Sequence, residues 1–283
     1  METASSDTSL DGRTLIMSGG SRGIGEAIAI QAARRGANVA LIAKTTEPHP
    51  KLPGTVYTAA AAIEEAGGKA LPIVGDIRDD ESVADAVART VEQFGGIDIV
   101  VNNASALDLT PAENISMKKY DLMQDINARG AFLLTKTAIP YLRQSPNGHV
   151  LTLSPPINLH PKWFAHIGTA YTISKFSMSL VTIGLAAELE KDGIAVNSLW
   201  PRTTINTAAV RNILSEELVA CSRTPDIMAD AAMSIITKPA RLATGQCFID
   251  DDVLARDGVD DFSRYRVVPG DEQLELDFWM EWP

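Results

Sequence analysis

Short apolar runs alternate with amphipathic stretches along almost the whole chain. Leu15-Ile16-Met17, Asn38 to Ala43, Ala70 to Asp76, Ile97 to Val101, His149 to Ser154, Ile194 to Leu199 and Phe248-Ile249 are short, apolar and bounded by polar residues or turn formers. Such runs predict buried strands. Between the first two, Ile24, Ala27, Ile28 and Ala32 recur at three- to four-residue spacing, which predicts a helix. Further helices are predicted over Ala59 to Ala66, Asp80 to Phe94, Ser116 to Leu142, Ala170 to about Lys191, Thr204 to Val219 and Pro225 to Thr237. Gly67-Gly68 and Gly95-Gly96 stop two of them. Unbroken alternation predicts one α/β domain over 1–283, a doubly wound parallel sheet of about seven strands with helices on both faces. Ligands bind such sheets at the C-terminal ends of the strands.

Two stretches depart from the alternation. Thr45 to Gly54 holds three prolines and His49 and reads as a long surface loop. Asp250 to Pro283 is acidic yet carries Phe262, Tyr265, Phe278, Trp279 and Trp282. That mixture is unlike a solvated tail, so it is expected to pack on this subunit or on a neighbour. Within Ser116 to Leu142, Asn127 competes for backbone hydrogen bonds and predicts a local kink or a bound water.

The formal net charge of −11 argues against binding nucleic acid or an anionic membrane non-specifically. No apolar run is long enough to span a bilayer, and Met1 to Asp11 lacks the apolar segment of a secretion signal. Cys221 and Cys247 form no metal-binding spacing, and the four histidines show no HExxH pattern. No metal is expected, and a reducing, cytoplasmic compartment fits.

Candidate chemistry gathers at the predicted strand ends. Ser18-Gly19-Gly20-Ser21-Arg22-Gly23-Ile24-Gly25 follows the first strand and opens a helix. Glycines there permit unusual backbone angles and close approach to a pyrophosphate, and the helix N-terminus attracts phosphate. A tight turn is the plainer reading of the glycines alone. After the second strand comes Lys44 rather than an acid, with Arg22 as a second cation; both favour NADP(H) over NAD unless they are merely solvated. Asp76 ends the third strand, where it accepts from an adenine amino group or serves a turn. Asn102-Asn103 ends the fourth, where carboxamides can lock a crevice. Tyr171 and Lys175 stand four apart on one helix face, and an ammonium nearby lowers a phenol's pKa. That pair can exchange a proton with a substrate oxygen.

Together Gly19-x-x-x-Gly23-x-Gly25, Asp76, Asn102-Asn103-Ala104, Asn127, Tyr171-x-x-x-Lys175 and Asn197 resemble the short-chain dehydrogenase/reductase family over most of Thr14 to Pro201. Lys44-Thr45, Pro48-His49-Pro50-Lys51-Leu52, Ser154 to Leu159 and Trp200-Pro201 are similar to its hydroxysteroid dehydrogenase-like branch, whose longer members add a sterol-carrier domain. The resemblance implies a single-domain Rossmann fold, an NADP(H)-dependent carbonyl/alcohol oxidoreductase and a homodimer or homotetramer. It implies catalytic roles for Tyr171, Lys175, Asn127 and Ser154. It implies cofactor contacts at Gly19, Ser21, Arg22, Gly23, Ile24, Gly25, Lys44, Asp76, Ile77, Asn103, Ala104, Tyr171, Lys175 and Pro201. Asn158 stands where the family usually has the serine that polarises the substrate oxygen, and Ser154 is the other candidate. Ser105 and Arg202 replace glycines of the pattern; Arg202 would meet a cofactor phosphate or carboxamide region, an acidic substrate or solvent. Trp163, Phe164, Ile167, Trp200 and the residues after Pro201 would line an apolar pocket for a fatty, isoprenoid or steroid-like compound, or else the aromatics serve as core or interface. The rival reading is an NADP-binding scaffold or redox-responsive protein with little catalysis.

Overall fold

A computed structural model describes residues 8–49, 52–212 and 216–282. Met1 to Asp7, Pro50, Lys51, 213–215 and Pro283 lie outside the described residues, including parts of the predicted loop and of the predicted Thr204 to Val219 helix. Among the described residues, seven strands form one parallel sheet: β1 (Thr14–Ser18), β2 (Asn38–Ala43), β3 (Lys69–Val74), β4 (Ile99–Asn102), β5 (His149–Thr152), β6 (Ala195–Trp200) and β7 (Cys247–Ile249). Their order is β3-β2-β1-β4-β5-β6-β7, with the crossover point between β1 and β4. Pro72 lies in the edge strand β3, where a missing ladder donor is tolerated.

Helices α1 (Gly23–Arg34), α2 (Val56–Glu65), α3 (Asp80–Phe94), α4 (Met117–Met123), α5 (Gly130–Leu142), α6 (Pro161–Ile167) and α7 (Thr169–Leu189) alternate with the strands. After β6 come α8 (Ala208–Arg211), α9 (Glu216–Ala220), α10 (Asp226–Ile236) and, after β7, α11 (Asp250–Arg256). Strand side chains point alternately to the two faces. Leu15, Met17, Val39 and Leu41 therefore pack with Ile28 and Ala32 of α1 and Ile227 of α10. Ile16, Ala40, Val100 and Val150 pack on the other face with Val83 of α3, Leu134 of α5 and Leu185 of α7. This is the doubly wound arrangement, and no helix among the described residues is long and apolar enough to cross a membrane.

Three departures from the periodic pattern matter. The helical stretch from Ser116 to Leu142 is broken by a π-helical segment, Gln124–Arg129, centred on Asn127. Thr204 to Thr207 is not helical: Thr203 and Ile205 make β-bridges to Leu276 and Arg223, as β-branched residues favour, and Thr207 caps α8. Helices α6 and α11 escape the pattern because they are only seven residues each; Asp250, Asp251 and Asp252 suit the positive end of α11.

Candidate active site

The glycine loop after β1 is shaped by close approach. Gly19 has φ +73°, and a Cβ there would lie 2.7 Å from Ala104 Cα. A Cβ on Gly25 would lie 2.5 Å from Asn103 Nδ2, so this glycine seats the asparagine rather than facing the cavity. Asn103 Nδ2 donates to the Gly19 carbonyl at 2.8 Å, while Ser18 Oγ accepts from the backbone N–H of Asn103 and of Ala104, each at 3.2 Å. The ends of β1 and β4 are thereby locked across the crossover point. The N-cap residue of α1, Arg22, makes no side-chain capping hydrogen bond among the described residues. The helix's free N–H groups and the open glycine loop fit a pyrophosphate.

A cavity of about 990 Å³ runs along these strand ends. It is lined by Gly19, Ser21, Arg22, Gly23, Ile24, Lys44, Asp76, Ile77, Asn103, Ala104, Tyr171, Lys175 and Pro201, which covers thirteen of the residues singled out in the sequence. Lys44 is 60% exposed and pairs with Asp76 at 2.9 Å. Arg78, which nothing in the sequence pattern marked, binds the same carboxylate at 2.6 Å. These cations hold Asp76 far below the usual carboxylate range, Arg78 contributing most. Arg22 donates to the carbonyls of Pro53 and Gly54 at 3.0 and 2.8 Å, fixing the long loop against the glycine loop.

At the other end, the α7 helix presents Tyr171 and Lys175, both buried. Lys175 Nζ donates to the Leu153 carbonyl at 2.6 Å and stands 4.8 Å over the Trp200 ring. Burial pulls the ammonium down to about 7, against the pull of Asp277. The phenol of Tyr171 is pushed up, not down as the four-residue spacing led us to expect: burial dominates, the charge of Asp277 adds to it, and the Ser105 side chain opposes both. Asn127 lies beneath the cavity rather than in its wall. Its Oδ1 accepts from Ala106 N at 2.7 Å, and its Nδ2 donates to Ala106 O at 3.0 Å and Ser174 Oγ at 2.8 Å. The π-helical turn is what aims this amide at the strand end and at α7.

Ser154 is fully buried two residues after β5, and its Oγ has no hydrogen-bond partner among the described residues. Asn158 instead accepts from His160 N at 3.1 Å, tightening the turn into α6. Of the expected apolar wall, Trp163 and Trp200 line the cavity. Phe164 packs edge-on against Phe176, and Ile167 is wholly buried, so both are core. Arg202 meets neither cavity nor solvent: it is 6% exposed and pairs with Asp251 and Asp252 at 2.7 and 2.6 Å.

The residues that periodicity missed come from the C-terminal segment. Leu276, Asp277, Phe278, Met280 and Trp282 complete the cavity wall. Trp279 is 2% exposed, with ring centroids 5.8, 5.5 and 5.6 Å from Tyr171, Phe176 and Trp200. Its aromatic content was the available signal.

The family model described as short chain dehydrogenase matches residues 13–218, a stretch that ends before this C-terminal segment. The chain is 53% identical over 272 residues to hydroxysteroid dehydrogenase-like protein 2 of Danio rerio, covering 96% of this chain and 65% of that protein. It is 47% identical to the Homo sapiens protein of the same name, again over 96% of this chain and 64% of the relative. The chain thus spans just under two thirds of these curated relatives. Among solved structures, a short chain dehydrogenase of Mycobacterium thermoresistibile is 53% identical with a TM-score of 0.91, covering 96% of each chain. A dehydrogenase from Xanthomonas campestris described as putative is 51% identical with a TM-score of 0.92, covering 96% of this chain and 99% of its own.

Proposed function

Because the chain belongs to the short-chain dehydrogenase/reductase family of oxidoreductases, we propose that it interconverts a carbonyl and an alcohol with NADP(H). The carrying observation is that Tyr171, Lys175 and the uncapped glycine loop open onto one cavity. The nicotinamide, when bound, supplies or accepts hydride at the substrate carbon. Gly19, Ser21, Arg22, Gly23, Ile24 and Asn103-Ala104 would hold the pyrophosphate end, with Ile77 and Pro201 along the same wall. Gly25 would act indirectly, by seating Asn103. Lys44 and Arg22 favour the 2′-phosphate, since no acid stands at the end of β2.

Tyr171 remains a phenol at neutral pH, the form that donates to a carbonyl oxygen. Lys175 stands ready to stabilise the phenolate left behind, and Asn127 orders the backbone between Ala106 and α7. The apolar wall of Trp163, Leu276, Phe278 and Trp282 suits a fatty, isoprenoid or steroid-like substrate. Two free cysteines suit a reducing, cytoplasmic setting. Phe132 of α5 and Leu180 and Ile183 of α7 expose 44%, 59% and 42% of their surface, which suits assembly of a homodimer or homotetramer. Sedimentation showing only monomer would overturn that part.

The activity is tested with a panel of apolar ketones and aldehydes and NADPH, comparing wild type with Tyr171→Phe. The expected loss is roughly 10²- to 10⁴-fold. Turnover that survives the substitution overturns the chemistry. NADPH binding without turnover across the panel supports the scaffold reading instead.

A further inference from the structure

Asp277 is carried into the catalytic end of the cavity by a segment fixed on both sides. Its backbone N–H donates to the Arg202 carbonyl at 2.9 Å, and Trp200 Nε1 donates to the Phe278 carbonyl at 3.0 Å. The neighbouring Trp279 packs on Tyr171 itself. Asp277 Oδ1 accepts from Phe278 N at 2.7 Å. The carboxylate lines the same cavity as Tyr171 and Lys175.

A buried ammonium is costly unless a counter-charge offsets its lost hydration. Lys175 has a carbonyl as its hydrogen-bond acceptor and an indole face beside it, neither of which carries a full negative charge. No carboxylate among the described residues stands within ion-pair distance of the ammonium; Asp277, on the same cavity wall, is the carboxylate whose charge reaches it. Tyr171 faces Lys175 from the same helix. Asp250 faces Asp277 from the start of α11, and Asp251 and Arg223 lie behind Asp250. Asp250 is itself fully buried, with Oδ2 unpaired among the described residues.

We propose that Asp277 is a positioning residue of the active site, the counter-charge that keeps Lys175 an ammonium beside Tyr171. The role rests on the reading of Tyr171 and Lys175 as the acid/base pair. It also places a required group outside the stretch that the family shares. The sign is fixed by the Coulomb interactions. Asp277 raises the pKa of both Lys175 and Tyr171, so its removal lowers both. Carbonyl reduction needs the phenol protonated and the amine charged, so the alkaline limb of kcat moves to lower pH without Asp277. A merely structural contribution would lower the rate and leave the limb in place.

The direct test needs no substrate. The full chain is labelled with ¹³C at lysine Cε, and the Lys175 resonance is assigned by its loss in Lys175→Met. In wild type its midpoint is expected at about 7. Asp277→Asn keeps an acceptor for Phe278 N and should move that midpoint down by roughly 1 unit. A midpoint that stays or rises overturns the proposal. The coupling is reciprocal, so the Asp277 Cγ midpoint must rise in Lys175→Met. That measurement decides the matter if Asp277→Asn does not fold, and an unmoved Cγ midpoint overturns the proposal too. If Tyr171→Phe is inactive while neither midpoint moves, only the role of Asp277 fails. Shifted midpoints with an active Tyr171→Phe leave the coupling standing and sink the acid/base reading on which its purpose depends.

Discussion

Lys175 Nζ reaches from α7 to the Leu153 carbonyl, 2.6 Å away, and so ties that helix to the end of β5. The next residue is Ser154, whose buried hydroxyl lacks a partner among the described residues. An unpaired buried hydroxyl costs stability, and such groups persist where function uses them. Ser154→Ala is therefore expected to lower kcat by about 10²-fold, the scale of a lost oxyanion donor, without reducing thermal stability. Asn158→Ala removes only a turn hydrogen bond. It should leave kcat within roughly twofold and cost about 1 kcal/mol. Steady-state kinetics and thermal melts on both variants check this; the reverse ranking assigns the hydroxyl's place to Asn158.

Lys44 contributes a mostly exposed ammonium to the wall of the strand-end cavity. Its pairing with Asp76 keeps it at the end of β2, and Arg78 leaves that carboxylate neutralised even without it. Lys44→Ala should therefore weaken NADPH by roughly tenfold, the range of one charge-assisted hydrogen bond, and leave NADH nearly unchanged. Fluorescence titration with each cofactor gives the ratio. An unchanged ratio would remove Lys44 from the 2′-phosphate site.

How far the chain discloses this site depends on the range of the interactions involved. The central strands β1, β2, β4, β5 and β6 were legible because strands buried on both faces must be apolar throughout, whatever else surrounds them. Tyr171 and Lys175 were legible because helix geometry alone puts residues four apart on one face. Asp277 was not, since the ring contact of Tyr171 with Trp279 joins distant parts of the chain through irregular backbone, Trp279 itself at φ +65°. No period marks such a segment. Arg202 was misplaced for the same reason: its position after β6 suggested a ligand or solvent, but its charge is taken up by Asp251 and Asp252 of α11. The sign of the Tyr171 shift was also out of reach, because it turns on burial and not on spacing.

Gly25 gives a structural test of the crossover point. A methyl group there would press on Asn103 Nδ2, whose hydrogen bond to Gly19 O spans β4 and the glycine loop. Relief requires Asn103 to swing out and abandon that bond. Gly25→Ala should cost roughly 1–3 kcal/mol by overpacking and weaken both NADPH and NADH alike. Denaturant unfolding and cofactor titration report the two effects. Wild-type stability with wild-type affinity would show that the loop accommodates the methyl and that the clamp is not required.

His149 provides a prediction about pH. It begins β5, is 2% exposed, and donates from Nε2 to the Lys238 carbonyl at 3.0 Å. Burial first, and then the charge of Arg13, lowers its pKa from 6.5 to about 4. The folded pKa lies below the unfolded one, so the unfolded chain binds the proton first. The contribution of neutral His149 is full above pH 6.5, declines as pH falls toward about 4, and is level below that. The whole decline is worth about 3 kcal/mol at most. Asp250 and Asp277 are raised to about 7 by burial and shift stability the opposite way over much of the same window, so the wild-type curve alone is not diagnostic. His149→Gln removes the titrating ring while those carboxyls remain. Urea unfolding of both proteins at about pH 7.5 and about pH 4.5 isolates the histidine. The wild type's advantage over the variant should shrink on acidification, and a gap that holds constant would mean that His149 is not kept neutral by the fold.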